Sequence, residues 1–206
     1  MFYPKRFSAR RFGATLLEML IVLGIVSIIL VSVARLVRVS VDYYFYSTAQ
    51  LEVQRNALLS LNLLSQQLTA STFESVYTDN NLPHPGIVFA SPRDASGALV
   101  RDGSGNLVWT RLICYYVDTV NGKSGLMRKE FELTVQSSNP PDPVALGADI
   151  TYFRNLPTPG RFMARGITKL STSELTDALE ITMTSEVNQG NNWLEMDVST
   201  TIVPRN

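Results

Sequence analysis

Three hydrophobic patterns follow one another along the chain. From Met19 to Ala34 eleven positions are Leu, Ile or Val, with Gly24, Ser27 and Ser32 as small interruptions. Counted from Ala14, this apolar run contains one ionisable residue, Glu18, and the next is Arg35. Its 21 residues span about 31 Å as a helix, the thickness of a hydrocarbon core, and the eleven aliphatics contribute roughly −3 to −7 kcal/mol to insertion. Beyond it the period changes. Val53, Ala57, Leu61, Leu64 and Leu68 recur at helical spacing, while Gln50, Gln54, Asn62 and Gln66 fall on other faces. No proline occurs between Pro4 and Pro83, and no glycine between Gly24 and Gly86. A single helix of about 55–60 residues is therefore expected, apolar all round at first and amphipathic afterwards. Tyr43, Tyr44, Phe45 and Tyr46 lie where an outer membrane interface would fall.

The third pattern has a period of two. Leu107 to Val117 is a β-branched and aromatic run, Asn121-Gly122 is a hairpin signal, and Leu126 to Val135 returns, with Phe131, Leu133 and Val135 alternating with Glu132 and Thr134. Leu179, Ile181 and Met183 alternate with Glu180, Thr182 and Thr184; Leu194, Met196 and Val198 alternate with Glu195, Asp197 and Ser199. Asn188 to Asn192 is the turn between them, and Ala148 to Phe153 is a further candidate strand. Proline- and glycine-rich stretches at 79–86, 138–143 and 155–160 read as loops, and no internal repeat is evident. The expected fold class is α+β: a long N-terminal helix whose amphipathic half packs on an antiparallel β-sheet. The boundaries that follow are a basic leader at 1–13, a transmembrane helix at 14–38, its amphipathic continuation at 39–75 and a β domain at 76–206.

Charge changes the picture at one end. The chain carries 18 basic and 18 acidic residues, but Lys5, Arg6, Arg10 and Arg11 all precede Gly13 with no acid among them. Without that leader the net charge is about −4. A mildly acidic body argues against broad nucleic-acid binding, which needs a basic face. The positive charges before the span place its N-terminus in the cytoplasm and residues 40–206 outside. Arg35 and Arg38 can reach the far interface. The one cysteine, Cys114, excludes an internal disulfide and lies in an apolar strand-like run, where a thiol is packed rather than reactive.

The N-terminal segment has three readings. It is a signal anchor; or a secretory signal peptide cut after Ser32-Val33-Ala34; or a basic leader ending at Gly13, with Glu18 as fifth residue of the processed chain. The third uses every feature. Gly13-Ala14-Thr15-Leu16-Leu17-Glu18 resembles the class III prepilin processing site of type IV pilins and type II secretion pseudopilins. The resemblance implies cleavage between Gly13 and Ala14 by a prepilin peptidase, and methylation of the new N-terminus at Ala14. Phenylalanine is usual in the family where Ala14 stands here. Glu18 would then pair with the amino terminus of a neighbouring subunit in a filament. Leu112 to Arg128 and the ending after Thr200 are similar to the W-type minor pilins and J-type pseudopilins. The family implies a lollipop-shaped subunit with other minor and major pilins, a prepilin peptidase and an inner-membrane assembly platform as partners. It also implies residence in the inner membrane, with the β domain periplasmic, before entry into a pilus or pseudopilus.

Glu18 also has an ordinary explanation. Thr15-Leu16-Leu17-Glu18 is a capping box, with Thr15 the helix cap and Glu18 reaching back to its amide. No constellation for catalysis, and no cofactor or metal set, is visible. The single His84 lies between prolines, Gly122-Lys123-Ser124 lacks the first glycine of a phosphate loop, and Asp102 to Asn106 lacks the glycine and acid of a calcium loop. Arg154, Arg161, Arg165 and Lys169 form an acid-free basic stretch; an anionic contact there, DNA included, is the minority reading against solvated loop charge.

Overall fold

The computed structural model describes residues 15–81, 83–189 and 192–204. The chain divides into two compact units, Met1–Tyr46 and Ser47–Asn206. One helix, α1 (Leu16–Leu68), contributes to both. At 53 residues it is about 80 Å long. The apolar stripe of its second half is the side that is buried: Val53, Ala57, Leu61, Leu64 and Leu68 lose nearly all their accessible surface. It ends by tightening, with the Ala70 amide donating to Gln67 and Ser71 to Leu68.

The expectation of one antiparallel sheet gives way to two. A five-stranded sheet runs in chain order β1 (Val76–Asp79), β2 (Gly86–Ser91), β3 (Trp109–Val120), β4 (Lys123–Ser137) and β5 (Arg161–Arg165). A three-stranded sheet holds β6 (Ile167–Glu174), β7 (Leu179–Gln189) and β8 (Asn192–Ile202). The step from one sheet to the other is made at Gly166. Its φ is +74°, and a Cβ there would sit 2.7 Å from the Glu186 carbonyl oxygen. Its amide donates to Ser124 at one edge and its carbonyl accepts from Glu186 at the other. The β3–β4 hairpin turns at Asn121 and Gly122, both at positive φ, as a two-residue turn of this kind demands.

The five-stranded sheet is covered on both faces, which is why β2 and the centre of β3 are apolar without alternation. On one face Ile87, Phe89, Ile113, Tyr115, Val117 and Leu126 pack with Leu61, Leu64 and Leu68 of α1 and with Ile181 and Met183 of β7. On the other, Val88, Ala90, Leu112, Cys114, Tyr116 and Met127 pack with Ile150 and Phe153. Those last two belong to a short helix, α2 (Ile150–Asn155), not to the strand expected over Ala148–Phe153. Asp149 decides it: its carboxylate accepts from the Tyr152 amide at 2.7 Å, an N-cap that starts a helix where apolar composition alone permits either element.

The structure also shows a short repeat, against the expectation of none. Arg93-Asp94-Ala95-Ser96-Gly97-Ala98-Leu99-Val100 is followed directly by Arg101-Asp102-Gly103-Ser104-Gly105-Asn106-Leu107-Val108. Both copies fold into the same turn. Asp94 Oδ1 accepts from the amides of Ser96 and Ala98, and Asp102 Oδ1 from those of Ser104 and Asn106. Arg93 donates to the Gly97 carbonyl at 2.8 Å and Arg101 to that of Gly105 at 2.6 Å. The carboxylate of Asp102 is thus committed to its own turn.

Candidate functional site at the start of the first helix

The first helical turn is built by two side chains three residues apart. Thr15 precedes α1, and its Oγ1 accepts from the Glu18 amide at 3.3 Å. Glu18 returns the contact: its Oε2 accepts from the Thr15 amide at 3.1 Å. This reciprocal pair satisfies two of the donors a helix start leaves open, and places a carboxylate at the positive end of the dipole. Oε2 takes the bond to the Thr15 amide, so the second carboxylate oxygen can accept from an outside group. Gly13 and Ala14 lie outside the described residues.

Behind this cap comes an apolar surface with no partner among the described residues. From Leu16 to Val41 no Leu, Ile, Val or Met is less than 44% exposed. The helix is long and apolar enough to cross a membrane, and none of its most apolar window is buried. A core helix of a water-soluble body would bury this stretch; here none of the described residues covers it. Its serine hydroxyls are already satisfied. The hydroxyls of Ser27, Ser32 and Ser40 donate to the carbonyls of Leu23, Ile28 and Leu36 at 2.7–2.9 Å, the condition for a hydroxyl to sit in hydrocarbon.

The four basic residues of the 154–169 stretch do not converge. Arg154 lies on α2, where its Nε is 3.9 Å from Asp118 Oδ2. Asp118 also faces His84, whose Nδ1 is 3.5 Å away and 3.2 Å from the Val117 carbonyl. Lys169 is on β6 in the other sheet, 3.7 Å from Glu195. Arg161 and Arg165 begin and end β5, opposite Arg128 and Gly125 of β4. Those partners are an odd number of residues apart, because the ladder shifts between Leu126 and Met127, so the two arginines sit on opposite faces of the sheet.

Two polar arrangements lie outside the reach of sequence reading. Glu130 on β4 bonds both Arg111 and Arg128, and Arg128 also reaches Gln67 on α1, which accepts from the Tyr115 hydroxyl at 3.0 Å. Burial pushes the Glu130 carboxyl up, but hydrogen bonding to Arg111 and the charges of Arg128 and Arg111 outweigh it and hold the group below its ordinary value. On the opposite face Lys129 is buried and its Nζ donates to the carbonyls of Phe153, Arg154 and Leu156 at 2.9–3.1 Å. It closes the C-terminal end of α2 from another element. Only the alternation of β4 hints at either cluster, since apart from Arg128 and Glu130 the partners lie 19 to 61 residues apart. Burial raises the Cys114 thiol well above the usual thiol range and the Tyr116 hydroxyl to about 12, so neither is a nucleophile at neutral pH. Among the described residues no three His, Cys, Asp or Glu side chains come together as a metal site.

Comparison with protein-family models, with curated proteins and with solved structures yields no match.

Proposed function

We propose that the chain is a non-enzymatic minor pilin or pseudopilin. A prepilin peptidase cuts it between Gly13 and Ala14, and the processed subunit joins or primes a type IV pilus or type II secretion pseudopilus. Before assembly it sits in the inner membrane with its N-terminus cytoplasmic and its sheets outside, ready for the assembly platform and the other subunits. The observation that carries the reading is the pairing of Gly13 and Glu18 with a helix whose run from Met19 to Ala34 is exposed and free of ionisable groups. The geometry of the cap adds a reason for the cut to fall where proposed. Both halves of the capping box belong to Thr15 and Glu18, so removal of residues 1–13 leaves it whole. The new amino group at Ala14 then stands one residue ahead of the cap in sequence. The proposal does not extend to DNA, because the basic residues of the 154–169 stretch are dispersed and two of them face acids.

The test is intact mass and N-terminal sequencing of the protein purified from native membranes. A chain beginning at Ala14, with or without a methyl group, supports processing. An uncut chain leaves a plain membrane anchor, and one beginning at Arg35 leaves a secreted domain. Glu18→Gln probes assembly separately. Glutamine preserves the capping box, so insertion and cleavage are expected to persist while incorporation into filaments is lost.

A further inference from the structure

Each sheet has two edges, and an edge strand exposes unpaired backbone donors and acceptors that invite another strand. Among the described residues the two sheets present four edges, and three are blunted. β1 is only four residues long. Just beyond its end, the Asn80 side chain donates to the Thr172 carbonyl at 2.8 Å and accepts from the Thr172 amide at 2.8 Å, occupying the outward edge of β6. β5 is five residues long, shifts register at its centre and carries an arginine at each end. β8 is different. It runs for 11 residues, paired to β7 without a register shift from Asn192 to Ile202, and contains no proline, glycine, lysine or arginine.

We propose that β8 is an acceptor edge for an extended segment of a partner chain carrying basic side chains at alternate positions. The side chains of β8 supply both halves of the recognition. Leu194, Met196 and Val198 point to the core side and stay half-buried, so an added strand with apolar residues on that side would complete their burial. On the outer side lie Glu195 and Asp197, flanked by exposed Trp193, Ser199 and Thr201. The neighbouring outer positions of β7 add Glu180 and Glu186, and Lys169 is the basic residue among these outward-facing charges. The face is net acidic and calls for cations opposite it. The same charges disfavour a second copy. Antiparallel pairing of β8 with itself in its central registers sets Glu195 or Asp197 against another carboxylate, with no basic residue on the strand to offset them.

The experiment uses the full chain in nanodiscs of neutral phosphatidylcholine and a synthetic peptide alternating lysine with valine. Binding is read by calorimetry and by amide hydrogen exchange along β8. The peptide is expected to bind and to slow exchange at the outward amides of β8, and a glutamate-for-lysine peptide to bind more weakly by on the order of tenfold. Glu195→Lys with Asp197→Lys should invert that preference while exchange in β7 stays unchanged, which shows the sheet is intact. Simple charge adhesion is separated by a lysine peptide N-methylated at every amide, which has no free edge to pair as a strand and is expected not to bind. Binding of the methylated peptide, a lysine preference that survives charge reversal, or a β8-dependent dimer without peptide overturns the proposal.

Discussion

At the scale of single residues, the most consequential side chain outside the first helix is Lys129. An ammonium group is rarely buried unless its donors are used, and here three carbonyls at the end of α2 take them. Lys129→Met keeps much of the side-chain volume but leaves those carbonyls without a donor, so a loss of about 1–3 kcal/mol is expected. A urea titration of the full chain in micelles measures it; a midpoint equal to wild type would mean that water replaces the lysine without penalty. Glu130 makes a prediction about acid. Its folded-state carboxyl is held below the ordinary value, so its contribution is complete above the unfolded carboxylate range, near about 4.3, and is lost as pH falls through the folded value. Wild type should therefore lose stability from about pH 5 downward more steeply than Glu130→Gln. The gap between the two should be widest near neutrality and shrink in acid; parallel pH profiles would show that the two arginines are held without this carboxylate.

At the scale of elements, what could be read in advance depended on how local the determining interactions are. The stripe from Val53 to Leu68 was legible because burial on one side of a helix leaves a periodic trace. So were the Asn121-Gly122 hairpin and the pair β7–β8, where one sheet face is wet and alternation survives. The Thr15–Glu18 cap was legible too, since both partners lie within one turn. β2 was not, because a strand covered on both faces has no period to detect. The apolar run of α2 reads as a strand, but Asp149 ahead of it outweighs that run and starts a helix. The division into two sheets was hidden for another reason: it depends on Gly166, whose role appears only when β5 and β6 are seen to leave it in different sheets. Gly166→Ala tests that role. The left-handed backbone and the 2.7 Å approach to Glu186 oxygen both oppose a methyl group. The change should destabilise the protein by more than the ~1 kcal/mol that a left-handed alanine alone costs. A chemical denaturation midpoint equal to wild type would mean that the link relaxes freely.

At the scale of the molecule, α1 contributes to both compact units, and its two halves should respond differently to denaturant. Residues 16–41 display apolar side chains on every face, so in a micelle or bilayer their backbone hydrogen bonds are surrounded by hydrocarbon. Breaking one there leaves polar groups unsatisfied at several kcal/mol each, and urea has little access to it. The segment 47–68 has a different source of stability. Its apolar side, from Ala49 to Leu68, is buried within the unit that contains both sheets. A domain of that kind is held by about 5–15 kcal/mol in total, and an isolated helix of this length is marginal in water. Amide hydrogen exchange of the full chain in micelles, followed through a urea titration, should therefore resolve two behaviours within α1. Protection of 49–68 should vanish at the same midpoint as that of β3, β4 and β7, while protection of 16–41 persists well beyond it. The boundary is expected between Val41 and Ala49, where no proline or glycine marks it. Loss of protection along the whole helix at one midpoint would show instead that the apolar half depends on the folded sheets, and that lipid is not what stabilises it.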